Sequence, residues 1–277
     1  MTTINEIIMK ISLAFSTLEE IEGVVLSGSL TTETQDEFSD IDLYIYSDHE
    51  ISPSRRKDLL EPFSAYMEIN NQYWETEDDG TLRDPKIGIE IIYRNYAWIE
   101  NELNNSLISY NAQVGFSTCF WSNYLNSEIL FDKHGRLKKL QDRVNVPYPV
   151  ELKQNIINKN YPLLKDSITS YFHQIEKAVK RQDYISINHR VAALLASYFD
   201  IIFAINDLPH PGEKKLIKIA KQKCEQLPVN MEEDINNILR NNTSTLLDDI
   251  HKLVDRLDVM LESKNLLPKN TVTLIRK

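Results

Sequence analysis

The segment DIDLYIY, residues 40–46, alternates apolar and polar side chains with the period of a half-buried strand. Ile41, Leu43 and Ile45 share one face, and Asp40 and Asp42 share the other. Residues i and i+2 of a strand lie ~6.5–7 Å apart and point the same way. Two carboxylates so placed repel each other and resist desolvation. A cation held between them answers both objections. Ahead of the pair, in GSLTTETQDEFSD, stands a Gly-Ser turn at the end of the short apolar run GVVLS. Glycine at a strand end lets the backbone approach a phosphate closely, and the next amide and the Ser29 hydroxyl can donate hydrogen bonds to its oxygens.

The 277 residues suggest two domains, because single hydrophobic cores stop growing near ~250 residues. Ile4, Ile8, Ile11, Phe15 and Leu18 recur at helical spacing, so a helix is expected over 3–19, ahead of the GVVLS strand. Ser52 with Pro53 predicts a helix start, running to about 64. A strand is expected at 65–74, a turn at Asp78-Asp79-Gly80, and a strand at IGIEIIY, 87–93, where Glu90 faces away from Ile87, Ile89 and Ile91. From about 94 the pattern turns helical, with a polar turn at 132–135 and a Pro-containing link near VPYPV, 146–150. Helical stretches follow near 150–181, 184–206, 212–227, 230–240 and 244–264. The expectation is an α+β fold: a mixed sheet flanked by helices over 1–147, then a helical bundle over 148–277.

With 31 basic against 41 acidic side chains and a net charge of −10, the chain is a poor candidate for non-specific nucleic-acid binding. Cationic small molecules suit it better. Cys119 and Cys224 form no Cys-x-x-Cys, so a reducing, cytoplasmic setting is expected. The start of the chain does not read as a signal peptide, and the longest apolar run, 191–205, is interrupted by Asp200, so no membrane association is expected. P-loop, Rossmann and nucleophile-elbow motifs are absent from the sequence.

Gly28-Ser29, then Asp40 and Asp42 in SDIDLYIY, then a lone acid in IGIEIIY, resemble the nucleotidyltransferase superfamily typified by DNA polymerase beta. The likeness is nearest to its antibiotic-modifying and minimal branches. It covers residues 20–93 by motif and the helical remainder by layout alone. The resemblance implies that Gly28 and Ser29, with the neighbouring Ser39, bind a nucleoside triphosphate, with ATP as the expected donor. It also implies that Asp40, Asp42 and Glu90 bind two Mg2+ ions and carry the catalysis, Glu90 helping to take the proton from the attacking hydroxyl. Glu68, in YMEIN, is the rival for the third carboxylate. The acceptor implied is a small hydroxylated molecule of the aminoglycoside or lincosamide type, and a homodimer is compatible with the family. Alternatives are a protein-modifying, AMPylating enzyme of toxin–antitoxin type and a nucleotide-binding regulator without turnover.

Pro211-Gly212 in HPGEKKL is expected to introduce a helix whose first turns carry Glu213, Lys214 and Lys215. Lys214 is thereby a candidate for the triphosphate, against the simpler reading of a capped, solvated helix start. His173 and His189 pair with no other ligand at metal spacing and read as ordinary helix residues. Tyr198 and Asp200 could line a cleft, although Tyr198, Phe199 and Phe203 fit a bundle core better.

Overall fold

Thr3 caps the first helix, α1 (Ile4–Ser16), in a computed structural model that describes residues 3–32, 36–37, 39–240 and 243–268. The Glu6 amide donates to Thr3 Oγ1 at 3.2 Å and the Thr3 amide donates to Glu6 Oε2 at 2.9 Å, so two of the free donors at the helix start are satisfied reciprocally. The apolar stripe of α1 buries Ile7, Ile8, Ile11 and Phe15. Positions 33–35 and 38, inside the stretch that carries the Gly-Ser and Asp-x-Asp motifs, lie outside the described residues.

The chain divides into two units, Met1–Asn104 with Phe120–Val146, and Asn105–Cys119 with Pro147–Lys277. The first contains β1 (Ile21–Ser27), β2 (Ile41–Ser47), α2 (Pro53–Leu60), β3 (Ser64–Asn71), β4 (Glu77–Leu82), β5 (Gly88–Arg94), most of α3 (Tyr96–Leu107) and of α4 (Cys119–Asn126), β6 (Glu128–Asp132) and α5 (Arg136–Val144). The six strands form one mixed sheet in the order β3-β4-β5-β2-β1-β6, in which β2 and β5 are parallel and the other neighbours antiparallel. One face is apolar: Ile41, Leu43, Ile45, Ile89 and Ile91 join the α1 stripe and Leu60 of α2 in a single core.

Two expectations change here. Asp78-Asp79-Gly80 is not a turn but part of β4, paired on both sides. The reason is at Gly80, where a Cβ would stand 2.2 Å from the Tyr66 carbonyl oxygen; the bare glycine lets β3 close in. The segment before 132 is also a strand, β6, which pairs with β1.

Period two sends Asp78 into the core side of β4, opposite Ile91, and Glu77 and Asp79 to the other face. Asp78 is buried and accepts from Arg56 Nη1 (3.1 Å), the Asn70 amide (2.7 Å) and the Tyr93 hydroxyl (2.6 Å). Burial raises its pKa, although all these donors favour the charged form. Arg56, itself buried, also lies 4.5 Å over the Tyr93 ring. Breaking a buried pair from one side leaves an uncompensated charge, so Arg56→Met should destabilise this unit by about 3 kcal/mol, read as a drop in the urea midpoint at constant slope.

The second unit contains α6 (Val150–Tyr161), which passes into a π-helical turn at Pro162–Asp166, then α7 (Tyr171–Arg181), α8 (Tyr184–Ile205), α9 (Leu216–Lys223), α10 (Met231–Leu239) and α11 (Leu246–Ser263). Its core gathers Ile157, Leu164, Ile175, Leu194, Ile202, Leu253 and Leu257 around α8, whose last turns are buried on every side. Tyr198, Phe199 and Phe203 belong to that core. Segment 105–119, upstream of the 147/148 boundary read from the sequence, is part of this unit because its polar groups are satisfied there. Ser117 donates to Asp200 from its amide (3.0 Å) and hydroxyl (2.6 Å), the Gly115 amide donates to Asn160 Oδ1 (2.9 Å), and the His210 amide donates to Thr118 Oγ1 (2.7 Å). Asp200 is therefore a buried anchor for this segment. Among the described residues no helix is long and apolar enough to cross a membrane.

Candidate active site

The face of the sheet opposite the α1 core is acidic. Its strand register sets Glu68 of β3, Asp79 of β4, Glu90 of β5, Asp42 of β2 and Ser27 of β1 in one row. Directly paired residues on neighbouring strands have Cβ atoms about 5 Å apart. Glu90 is thus the immediate neighbour of Asp42, whereas Glu68 lies three strands from it, exposed, accepting from the Tyr66 hydroxyl at 2.8 Å.

Gly28, at the end of β1, opens a 3-10 turn, Gly28–Thr31, with φ of +70°, a conformation glycine adopts without penalty. A Cβ there would stand 1.7 Å from Asp42 Oδ2, and one at Gly88, the first residue of β5, would stand 2.0 Å from Asp40 Oδ1. Each aspartate is therefore packed against a glycine, and any side chain at 28 or 88 would displace it. Thr31 Oγ1 donates to the Gly28 carbonyl at 3.1 Å and holds the turn, leaving Ser29 half-buried within it. Ser39 is engaged locally: its hydroxyl accepts from the Asp36 amide (2.9 Å) and donates to Asp36 Oδ1 (3.3 Å). On the same face, Asn123 of α4 donates to Ser27 Oγ at 2.8 Å and Ser127 donates to it at 3.0 Å, so the β1 end of the row is held by neutral side chains.

The expected carboxylates are adjacent but do not converge as they stand. Among the described residues, the acidic oxygens that all lie within 4.8 Å of one another belong to Glu77, Asp79 and Glu90. Burial, reinforced by the charges of Asp79, Glu90 and Glu75, raises the Glu77 carboxyl pKa. Reading the sequence as a turn at 78–80 hid this group. The signal was present in ETEDD, where Glu75, Glu77 and Asp79 recur with period two, as Asp40 and Asp42 do.

Asp40, Asp42 and Glu90 nevertheless form a donor set fit for Mg2+, which takes a few carboxylates and leaves the rest of its sphere to water and phosphate. The fit is seen in the glycines at 28 and 88, which open the space the two aspartates occupy, and in the pairing of Asp42 with Glu90. Lys214 lies in the second unit and is exposed. The helix expected from 212 begins only at Leu216, after Lys215 at φ +57°, so Lys214 sits in the preceding turn and outside the helix.

Comparison with known proteins gives two family matches. Residues 9–94 match the model described as polymerase beta, nucleotidyltransferase, and residues 120–215 match a domain of unknown function, DUF4037. No curated protein matches the chain. Among eleven solved chains that match is a nucleotidyltransferase-like protein from Exiguobacterium sibiricum, 12% identical, with a TM-score of 0.43, aligned over 91% of this chain and 72% of its own.

Proposed function

Residues 9–94 form a nucleotidyltransferase domain of the polymerase beta superfamily, and on that premise we propose that the protein transfers a nucleoside monophosphate, AMP from ATP, to a hydroxyl of a small acceptor. The acceptor class is the aminoglycoside or lincosamide type, for which the net charge of −10 and the acidic sheet face provide a cation-attracting surface. What supports this reading is the register that sets Glu90 beside Asp42 on the face reached by the Gly28 turn.

In this reading the amides of the Gly28–Ser29 turn and the Ser29 hydroxyl donate to the β- and γ-phosphate oxygens and fix the triphosphate. Asp40, Asp42 and Glu90 would hold Mg2+, which when bound neutralises charge on the phosphate oxygens. The acceptor hydroxyl attacks the α-phosphorus in line. The bond from the acceptor oxygen to phosphorus forms, the bridging bond to the β-phosphate breaks, and pyrophosphate leaves. Glu90 takes the hydroxyl proton on a carboxylate oxygen, a role its place one strand from Asp42 permits.

The test is transfer from α-labelled ATP, GTP, CTP and UTP with Mg2+ to panels of aminoglycosides and lincosamides and to a protein extract, with pyrophosphate release followed in parallel. Label from ATP on a small molecule, with stoichiometric pyrophosphate, is the expected outcome. Label on protein would replace the acceptor, and nucleotide binding without pyrophosphate release from any pair would overturn the enzymatic reading.

A further inference from the structure

Glu77 is 4% exposed, and among the described residues no hydrogen-bond donor reaches its carboxylate. A buried carboxylate in that state is costly unless a counter-charge accompanies it. Its immediate company makes matters worse, since the groups that meet it are Asp79 and Glu90, their oxygens within 4.8 Å. Asp79 is oriented by Asn71, whose amide nitrogen donates to Asp79 Oδ2 at 2.9 Å. Three carboxylate oxygens at such spacing match the coordination sphere of an oxygen-preferring cation, whose opposite ligands stand about 4.2 Å apart for Mg2+ and up to about 5 Å for Ca2+, twice the metal–oxygen distance. The site is built on two paired strands, with the Asp79–Glu90 pairing and the Glu77–Ile92 pairing fixing the spacing between its sides.

We propose that Glu77, Asp79 and Glu90 form a divalent-cation site of their own, next to the Asp40–Asp42 pair and sharing Glu90 with the proposed catalytic set. A divalent ion there offsets two of three negative charges and supplies the partner that the buried Glu77 lacks. Because Glu90 belongs to both groups, the ion would also hold the Glu90 side chain in a fixed orientation beside Asp42. The proposal does not depend on nucleotidyl transfer, since Glu77 and Asp79 are outside the set assigned to that reaction.

The probe is Mn2+ alone, added to the full chain after chelator treatment and without nucleotide, with free Mn2+ read by its electron paramagnetic resonance signal and folding checked by circular dichroism. Wild type should bind Mn2+ and gain thermal stability from it. Glu77→Gln and Asp79→Asn should each weaken that binding at least about tenfold, the scale seen when a metal site loses supporting groups. Asp42→Asn should retain it. Either Gln or Asn removes like-charge repulsion, so both variants should fold in the absence of metal at least as well as wild type, and each tests the site independently of the other. Equal Mn2+ binding by wild type and both variants, or a loss in Asp42→Asn as large as in Glu77→Gln, would overturn the proposal. If instead Mn2+ binding follows Glu77 and Asp79 while no nucleotide is ever transferred, the cation site stands and the proposed function fails.

Discussion

Asp42→Asn and Glu90→Gln should each lower nucleotidyl transfer by about three orders of magnitude, the upper range for removing one electrostatic contact from a transition state. Glu68→Gln should leave the rate unchanged. The three substitutions are chemically alike, so their difference isolates position. Glu90 is the register neighbour of Asp42, while Glu68 is exposed and three strands distant. Neither damaging variant should cost stability, because both carboxylates sit on an acidic face whose mutual repulsion each substitution relieves. Thermal melts would therefore separate this loss from misfolding. Equal losses in all three variants would remove the distinction that the sheet order makes.

The second large effect is expected in the helical unit. Asp200 is 1% exposed and accepts from the Ser117 amide, the Ser117 hydroxyl and Asn160 Nδ2, the last at 3.2 Å. Asp200→Ala strands these donors in the interior and should destabilise the unit by about 4 kcal/mol, within the range for breaking a buried polar network from one side. Asp200→Asn keeps the shape and should cost less.

The pH dependence gives a sharper readout. Burial pushes the Asp200 pKa up to about 6 from 3.8, against the pull of its donors, and burial pushes His210 down to about 4 from 6.5. Stability from Asp200 is full below pH 3.8 and is lost as pH rises through about 6. Stability from His210 is full above pH 6.5 and is lost as pH falls through about 4. Each slope amounts to about 3 kcal/mol at most, and they oppose each other. Between these limits the wild-type contributions nearly offset. Asp200→Asn should then expose the histidine slope, with stability rising as pH rises from about 4 to 6.5, and His210→Asn should expose the opposite one. Urea unfolding followed by the helical circular dichroism signal at several pH values would read both. Two variants with the same slope as wild type would refute the assignment.

Local chemistry decided much of what the sequence made legible. The capping signals at Ser52-Pro53 placed α2, and the alternation at 41–45 and 87–91 placed β2 and β5 with their apolar faces inward. The helical stripes placed α1 and α6 to α11 to within a few residues, apart from the late start of α9. These features depend on a few neighbouring residues, so they survive in a linear reading.

Pairing does not survive in that way. The sequence named Asp42, Glu90 and Glu68 as acids on strands, but only the strand order could put one of the two glutamates beside Asp42. Asp78-Asp79-Gly80 has the composition of a turn, and its conversion to a strand rests on β3 and β5 closing on either side of a glycine that leaves room. Glu77 and Asp79 entered the site through that conversion. Asp200 looked like a candidate for a cleft because an acid in an apolar helix demands a partner, and its partners, Ser117 and Asn160, are 83 and 40 residues away in the chain. By itself the sequence determined which residues carry charge and toward which side of their own strand or helix they point; tertiary structure decided which charges meet, because that depends on contacts between segments that no local preference encodes.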